Sequence, residues 1–123
     1  MSNISDFNKE CTKKFFTAAI NSGDMSVIAE LISPDYKFNG VATTADVTKA
    51  WALDLRQQFP DIHFLIESIL AEDDSVALRW RMTGTNKAGV KGYIVGTNIL
   101  VFFNGQAISN NQNIDADFIA INQ

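Results

Sequence analysis

Sulfur and imidazole chemistry are nearly missing from this chain. Cys11 is the single cysteine and His63 the single histidine in 123 residues. No intrachain disulfide can form, and a zinc site built mainly from Cys and His is excluded. Long apolar runs are absent too, so no segment reaches the roughly 18 residues of a membrane-spanning helix. The opening stretch MSNISDFNKE has neither a basic leader nor an apolar signal core, which makes the cytoplasm the expected location. Basic residues number 10 against 14 acidic ones, giving a formal charge of -4. No Lys/Arg stripe lies beside aromatics, so neither a nucleic acid nor a membrane is an expected partner. Low-complexity tracts, internal repeats and long linkers are also missing, as is a phosphate loop: Gly84, Gly89, Gly92 and Gly96 precede no Lys-Ser/Thr pair. They read as turns and bulges of a curved sheet.

What is present is an ordinary globular composition, 46% apolar, in a chain long enough to bury one core. A single domain over 1–123 is expected. Phe7, Cys11, Phe15 and Ala18 recur at helical spacing, predicting an amphipathic helix from about Asp6 to Ile20. Gly23 can end it in the left-handed conformation and Asp24 can cap a second helix, with Met25, Ile28, Leu31 and Ile32 inward. Ser33-Pro34-Asp35 reads as its stop, and Tyr36–Gly40 as a short strand or turn. A third helix should start at Thr43 or Thr44, burying Val47, Trp51, Leu55 and Phe59 at i,i+4 spacing, and stop at Pro60-Asp61.

The pattern then turns to strands. Ile62–Ala71 is rich in apolar residues, and Glu72-Asp73-Asp74 is a polar turn. Val76, Leu78, Trp80 and Met82 alternate with Arg79 and Arg81, which point the other way. Gly84–Gly92 reads as a loop with short extended pieces, and Thr97–Phe103 as the next strand. Asn104-Gly105 signals a tight hairpin, followed by a last strand from about Ala107 towards Ile121. Helices first and strands after, joined by turns too short for crossover helices, specify an α+β fold with an antiparallel sheet. The sheet face away from the helices is left for solvent or for a dimer partner.

Three blocks carry a resemblance. They are Phe15–Asp24 with Ile28–Tyr36; Phe59–Phe64 with Ala71–Trp80; and Met82–Thr85 with Gly92, Gly96 and Phe103-Asn104-Gly105. In this order and spacing the chain resembles SnoaL-like members of the nuclear-transport-factor-2-like superfamily, over nearly its whole length. The resemblance implies a cone-like fold, with three N-terminal helices packed on a strongly curved antiparallel sheet and a pocket at the open end. It also implies a homodimer through the sheet. The family holds polyketide cyclases, dehydratases and ketosteroid isomerases that need no cofactor, alongside non-enzymatic binding domains. Function therefore has to be argued from the site.

By that resemblance Asp115 is the catalytic candidate. Counting from Asn104-Gly105, Ser109, Asn110 and Asn111 fall on a Glu-His-Trp run of the family. Asp115 falls on the Asp that serves as general acid or base, here on an apolar cyclic or carbonyl compound. The alternative is an edge or solvent carboxylate beside Asp117. Phe16 stands where the isomerases carry a hydroxyl-bearing tyrosine, and no carboxylate lies near Asn39-Gly40, so isomerase chemistry of that type is disfavoured. His63 can serve as a base or as a structural residue. Phe16, Tyr36, Trp51, Trp80 and Tyr93 can line an apolar cavity or simply pack the core. Asn98, Asn111 and Asn113 are polar insertions in strand-forming sequence, suited to a ligand oxygen if buried and to solvent if exposed. Small apolar or aromatic ligand binding without catalysis, or dimeric assembly, is the competing function. No metal or cofactor is expected.

Overall fold

The computed structural model describes residues 3–121. Helix α1 (Ile4–Phe16) continues into a wider π-helical turn, Thr17–Asn21, before the short α2 (Ser26–Leu31). Strand β1 (Ile32–Phe38) and the two-residue β2 (Val41–Ala42) come next, then α3 (Ala45–Gln58). The remainder is β3 (His63–Glu72), β4 (Ser75–Thr85), β5 (Lys91–Phe103) and β6 (Gln106–Ala120). The strands form one sheet in the order β2-β1-β6-β5-β4-β3. Three helices pack against this strongly curled sheet, the expected α+β cone. All neighbours are antiparallel except β1 and β6, which run parallel. These two strands are far apart in sequence, so no tight turn constrains their direction.

Several local signals act as expected. Thr44 caps α3 by accepting from the Val47 amide at 3.2 Å. Asn104 and Gly105 both take positive φ, 51° and 79°, closing the β5–β6 hairpin. The β4 alternation holds, with Val76, Leu78, Trp80 and Met82 buried.

Four expectations are corrected. Phe7 is exposed, and the buried face of α1 is Asn8, Cys11, Thr12 and Phe15, one position further round. α2 does stop before Ser33-Pro34-Asp35, but the strand expected from Tyr36 begins earlier, at Ile32, and takes in all three residues; the β1–β6 register shifts between Ile32 and Lys37, so Pro34 has no ladder bond to donate. The expected Gly84–Gly92 loop shrinks, because β4 runs to Thr85 and β5 begins at Lys91. In the short loop that remains, Asn86 Oδ1 accepts from the amides of Ala88 and Val90. Finally, Val47 and Trp51 of α3 are 59% and 43% exposed, although Ala52 on the same helix is fully buried. The apolar stripe of α3 does not close onto the sheet. It overhangs a cavity.

Candidate functional site

The cavity lies between α1, α3, β1, β2 and the inner faces of β5 and β6, with a volume of about 360 Å³. Small-molecule sites span about 300–1,000 Å³. Phe15 and Phe16 from α1 and Phe38 from β1 form apolar walls, and Val41, Val47 and Trp51 rim its mouth. Its polar groups are concentrated at one end: Tyr36, Asn98, Asn110 and Gln112, with Thr43 and Thr48 near the rim. A smaller adjoining lobe of about 150 Å³ shares Phe16, Trp51 and Gln112 with it. Ile114, Asp117 and the aromatic rings of Phe64 and Trp80 line that lobe.

The polar end is a connected network. The Trp80 indole N–H donates to Asn98 Oδ1 at 2.7 Å. Asn98 Nδ2 donates to Asn110 Oδ1 at 2.7 Å, and Asn110 Nδ2 donates to the Tyr36 hydroxyl oxygen at 3.1 Å. Gln112 Nε2 adds a longer bond to Asn98 Oδ1 at 3.3 Å. Asn98, Asn110, Tyr36 and Trp80 are all buried, where unmade bonds to these groups would be costly. Burial pushes the Tyr36 phenol pKa up from 10.0, with the bond from Asn110 opposing part of that shift. The phenol therefore stays protonated and keeps its O–H as a donor. None of the described residues accepts from it. Gly96 lets the network form: a Cβ there would lie 2.6 Å from the Trp80 ring and 2.6 Å from the Asn113 carbonyl oxygen.

Of the sequence candidates, Phe16, Tyr36, Trp51 and Asn98 meet at the main cavity. Trp80 is a core residue stacked on Phe64, and it reaches the cavity only through its bond to Asn98. His63, Tyr93, Asn111, Asn113 and Asp115 do not join them. His63 is exposed at the start of β3, paired with Thr83. Tyr93 lies on the outer sheet face with the Arg81 guanidinium 4.3 Å above its ring. Asn111 is exposed opposite Ile99. Asn113 donates to Asp115 Oδ1 at 2.9 Å. Asp115 accepts from Arg79 Nη1 at 2.7 Å in a half-exposed ion pair, beside a further Arg79–Glu67 contact.

The reason lies in two of the three register shifts between β5 and β6. Phe102 faces Ala107 but Val101 faces Ser109, so Ile108 is extra. That one residue turns Asn110, Gln112 and Ile114 inward and sends Asn111 and Asn113 out. Gly96 then faces Ile114 while Val95 faces Ala116, so Asp115 is the second extra residue. The parity flips again and Asp117 faces the smaller lobe. Asn110 and Gln112 are the cavity residues that period-two counting misses. Among the described residues no cluster of His, Cys, Asp and Glu could hold a metal ion.

The curl of the sheet, the cavity under α3 and the polar end on β5 and β6 agree with the comparison to protein families. The model for SnoaL-like polyketide cyclases matches residues 10–116. The chain belongs to the SnoaL-like polyketide cyclase family. Its fold is shared with AclR of Streptomyces galilaeus (24% identity, TM-score 0.76, covering 89% of this chain and 79% of AclR). A second likeness is a candidate SnoaL-like polyketide cyclase of Jannaschia sp. CCS1, at 20% identity and TM-score 0.80, covering 94% and 90% of the two chains. A third is a SnoaL-like polyketide cyclase of Agrobacterium tumefaciens, at 13% identity and TM-score 0.78, covering 94% and 93%. No curated protein matches the chain. Within this SnoaL-like frame the polar end of the cavity is made of amides and one phenol, and the one carboxylate among the lining residues lies in the side lobe.

Proposed function

We propose that this SnoaL-like protein binds a small, uncharged, cyclic carbonyl compound in the cavity under α3. The observation that carries the reading is the location of the polar groups. An apolar chamber ends in a buried network whose last member, Tyr36, has an O–H left over. A carbonyl oxygen placed there completes the network, while the rings of Phe15, Phe16 and Trp51 cover the apolar body. A charged ligand would find no counter-ion in the main chamber. Titration of the 15N-labelled protein with 1-indanone tests this. Saturable shifts of the Trp51 indole and Asn110 side-chain signals are expected; shifts confined to the outer sheet face would refute it.

A second reading, cofactor-independent lyase, cyclase or isomerase chemistry, is favoured by Asp117. We place the acid–base role there rather than on Asp115, because Asp117 lines the lobe that adjoins the cavity. Its carboxylate would take a proton from the carbon next to the carbonyl, and the electron pair would move onto the oxygen held by Tyr36. Exchange of that proton in deuterated water, followed by NMR, should be accelerated by the wild type. Asp117→Asn should stop the acceleration while leaving binding intact, and an undiminished rate would exclude the role.

We also retain the homodimer through the outer sheet face. Leu65 and Ile99 are exposed there, near Arg79, Arg81, Glu67 and Asp115, a face carrying both signs of charge. A single-chain mass in sedimentation equilibrium at micromolar concentration would refute it.

A further inference from the structure

We propose that Trp80, which does not touch the main cavity, sets the hydrogen-bond polarity of the site, so that it selects ligands offering an acceptor oxygen and disfavours those that can only donate. The proposal rests on the cavity being the ligand site and goes further in saying which atom the site demands and what enforces it.

An indole N–H is a donor and nothing else, whereas an amide can turn end for end and a hydroxyl can rotate. Of the four residues in the chain of bonds, only Trp80 has no choice. Its bond to Asn98 Oδ1 at 2.7 Å fixes which end of the Asn98 amide faces it. The Asn98 NH₂ is thereby turned to Asn110 and bonds Oδ1 at 2.7 Å. That in turn points the Asn110 NH₂ at Tyr36, 3.1 Å from its oxygen. Reversing the chain would set the Asn98 NH₂ against the Trp80 N–H, two buried donors facing each other. Gln112 Nε2 reinforces the order by donating to the same Asn98 oxygen at 3.3 Å. Every internal donor–acceptor pair is consistent with one direction only, running from Trp80 to Tyr36. The chain ends on the Tyr36 hydroxyl proton, which has no acceptor among the described residues; the second protons of the Asn98 and Asn110 NH₂ groups have none either, so all three residues line the cavity with donors to spare.

Burial keeps the direction from being scrambled. Asn98 and Asn110 are only 1% and 3% exposed, so water does not replace a broken link cheaply. The Tyr36 oxygen already accepts from Asn110, which leaves it poorly placed to receive a ligand donor as well. Trp80 is thus a positioning residue acting through two amides on a phenol, and its effect on a ligand should be one of kind rather than of overall affinity.

The test uses three bicyclic probes of nearly equal size: 1-indanone, which only accepts; indole, whose N–H only donates; and indane, which does neither. Dissociation constants come from NMR titration of the wild type, Tyr36→Phe and Trp80→Phe. For the wild type, 1-indanone should bind about tenfold more tightly than indane, the equivalent of one net hydrogen bond, with indole no better than indane. Tyr36→Phe should remove the preference for 1-indanone while keeping indane binding. Trp80→Phe frees the amides to turn, so the preference should fall and indole should gain. A Trp80 that only packs the core would weaken all three probes by one factor, and that result overturns the proposal. Equal affinity of the three probes for the wild type overturns it too, while leaving the ligand site standing. Failure of all three to bind removes the site and the proposal together. Should Trp80→Phe not fold, wild-type nuclear Overhauser contacts decide. Asn110 NH₂ protons beside the Tyr36 ring support the direction, and Asn98 NH₂ protons beside the Trp80 indole N–H refute it.

Discussion

Asn98→Val is the substitution that asks most of the buried network. Asn98 is 1% exposed and takes part in three side-chain hydrogen bonds, to Trp80, Asn110 and Gln112. Valine suits a strand and is not far from asparagine in size, so the backbone should be undisturbed. The Trp80 indole N–H and Asn110 Oδ1 would both lose their partner while almost fully buried, at about 1–3 kcal/mol each. Gln112 is half-exposed and can turn to solvent. Burying the valine methyls returns roughly 1 kcal/mol. The expected net loss is therefore about 3 kcal/mol, and with an unfolding entropy near 2.1 cal/mol/K per residue this lowers Tm by roughly 10–12 °C. Denaturant unfolding and thermal melts followed by circular dichroism read both quantities. The paired control is Asn111→Ala, one residue from Asn110 but exposed on the outer face, which should change stability by no more than about 0.5 kcal/mol. A second control combines Asn98→Val with Trp80→Phe. Removing the donor along with its acceptor should recover part of the loss, with a coupling of about 1 kcal/mol or more. A loss below about 1 kcal/mol for Asn98→Val, or strict additivity in the double variant, would show that the network is not a stabilising unit.

Asp115→Asn should leave probe binding unchanged and cost less than about 1 kcal/mol, since the Arg79–Asp115 pair is half-exposed and screened by solvent and salt; loss of binding would return Asp115 to the site. Gly96→Ala should destabilise by about 1–3 kcal/mol, because its Cβ would press on both the Trp80 ring and the Asn113 carbonyl, and a neutral result in a denaturant melt would refute that close approach. Two hydrogen bonds from Thr85, backbone N–H and hydroxyl, hold the Asp61 carboxyl below its ordinary 3.8. The folded state then binds its proton less readily than the unfolded one, so this stabilisation is complete above pH 3.8 and fades as pH falls through the folded value. Asp61→Asn should flatten that part of the acid unfolding profile; an unchanged profile would rule out the contribution.

What could be read from the sequence was whatever is decided within a few residues. Asn104-Gly105 specifies its turn by tolerance of positive φ, and Thr44 specifies a helix start by the oxygen it offers to Val47. The alternation of Val76 to Met82 assigns its own inner face. Pocket membership on β6 is not decided locally. Strict alternation from the buried Ala107 puts Asn111, Asn113 and Asp115 inside. The bulge at Ile108 reverses that assignment, and a second at Asp115 restores it in time for Asp117. β6 itself has no glycine or proline at either bulge; Gly96 on β5, read from the sequence as a turn or bulge residue, stands at the second, and each bulge arises from matching a curved β6 to β5. The α3 face misled for a related reason. Val47 and Trp51 have the spacing of core residues, yet an empty chamber and a packed core leave the same apolar stripe in a sequence.

The composition of the polar end has a consequence for separating binding from chemistry. Asn98, Asn110 and Gln112 carry amides, which hold no titrating proton, and burial moves the Tyr36 phenol further from neutrality. The polar groups that line the inner end of the main cavity therefore keep one charge state across the whole neutral range. Proton transfer needs a group that can take and give a proton, and Asp117 in the smaller lobe is the one carboxylate among the lining residues. In this SnoaL-like protein, affinity for 1-indanone should therefore be flat across the neutral range, and Asp117→Asn should leave it so while stopping proton exchange. A flat affinity in both proteins, with exchange lost only in Asp117→Asn, assigns the two roles to the two lobes. A titrating affinity would mean that a carboxylate, not the amide network, faces the bound oxygen.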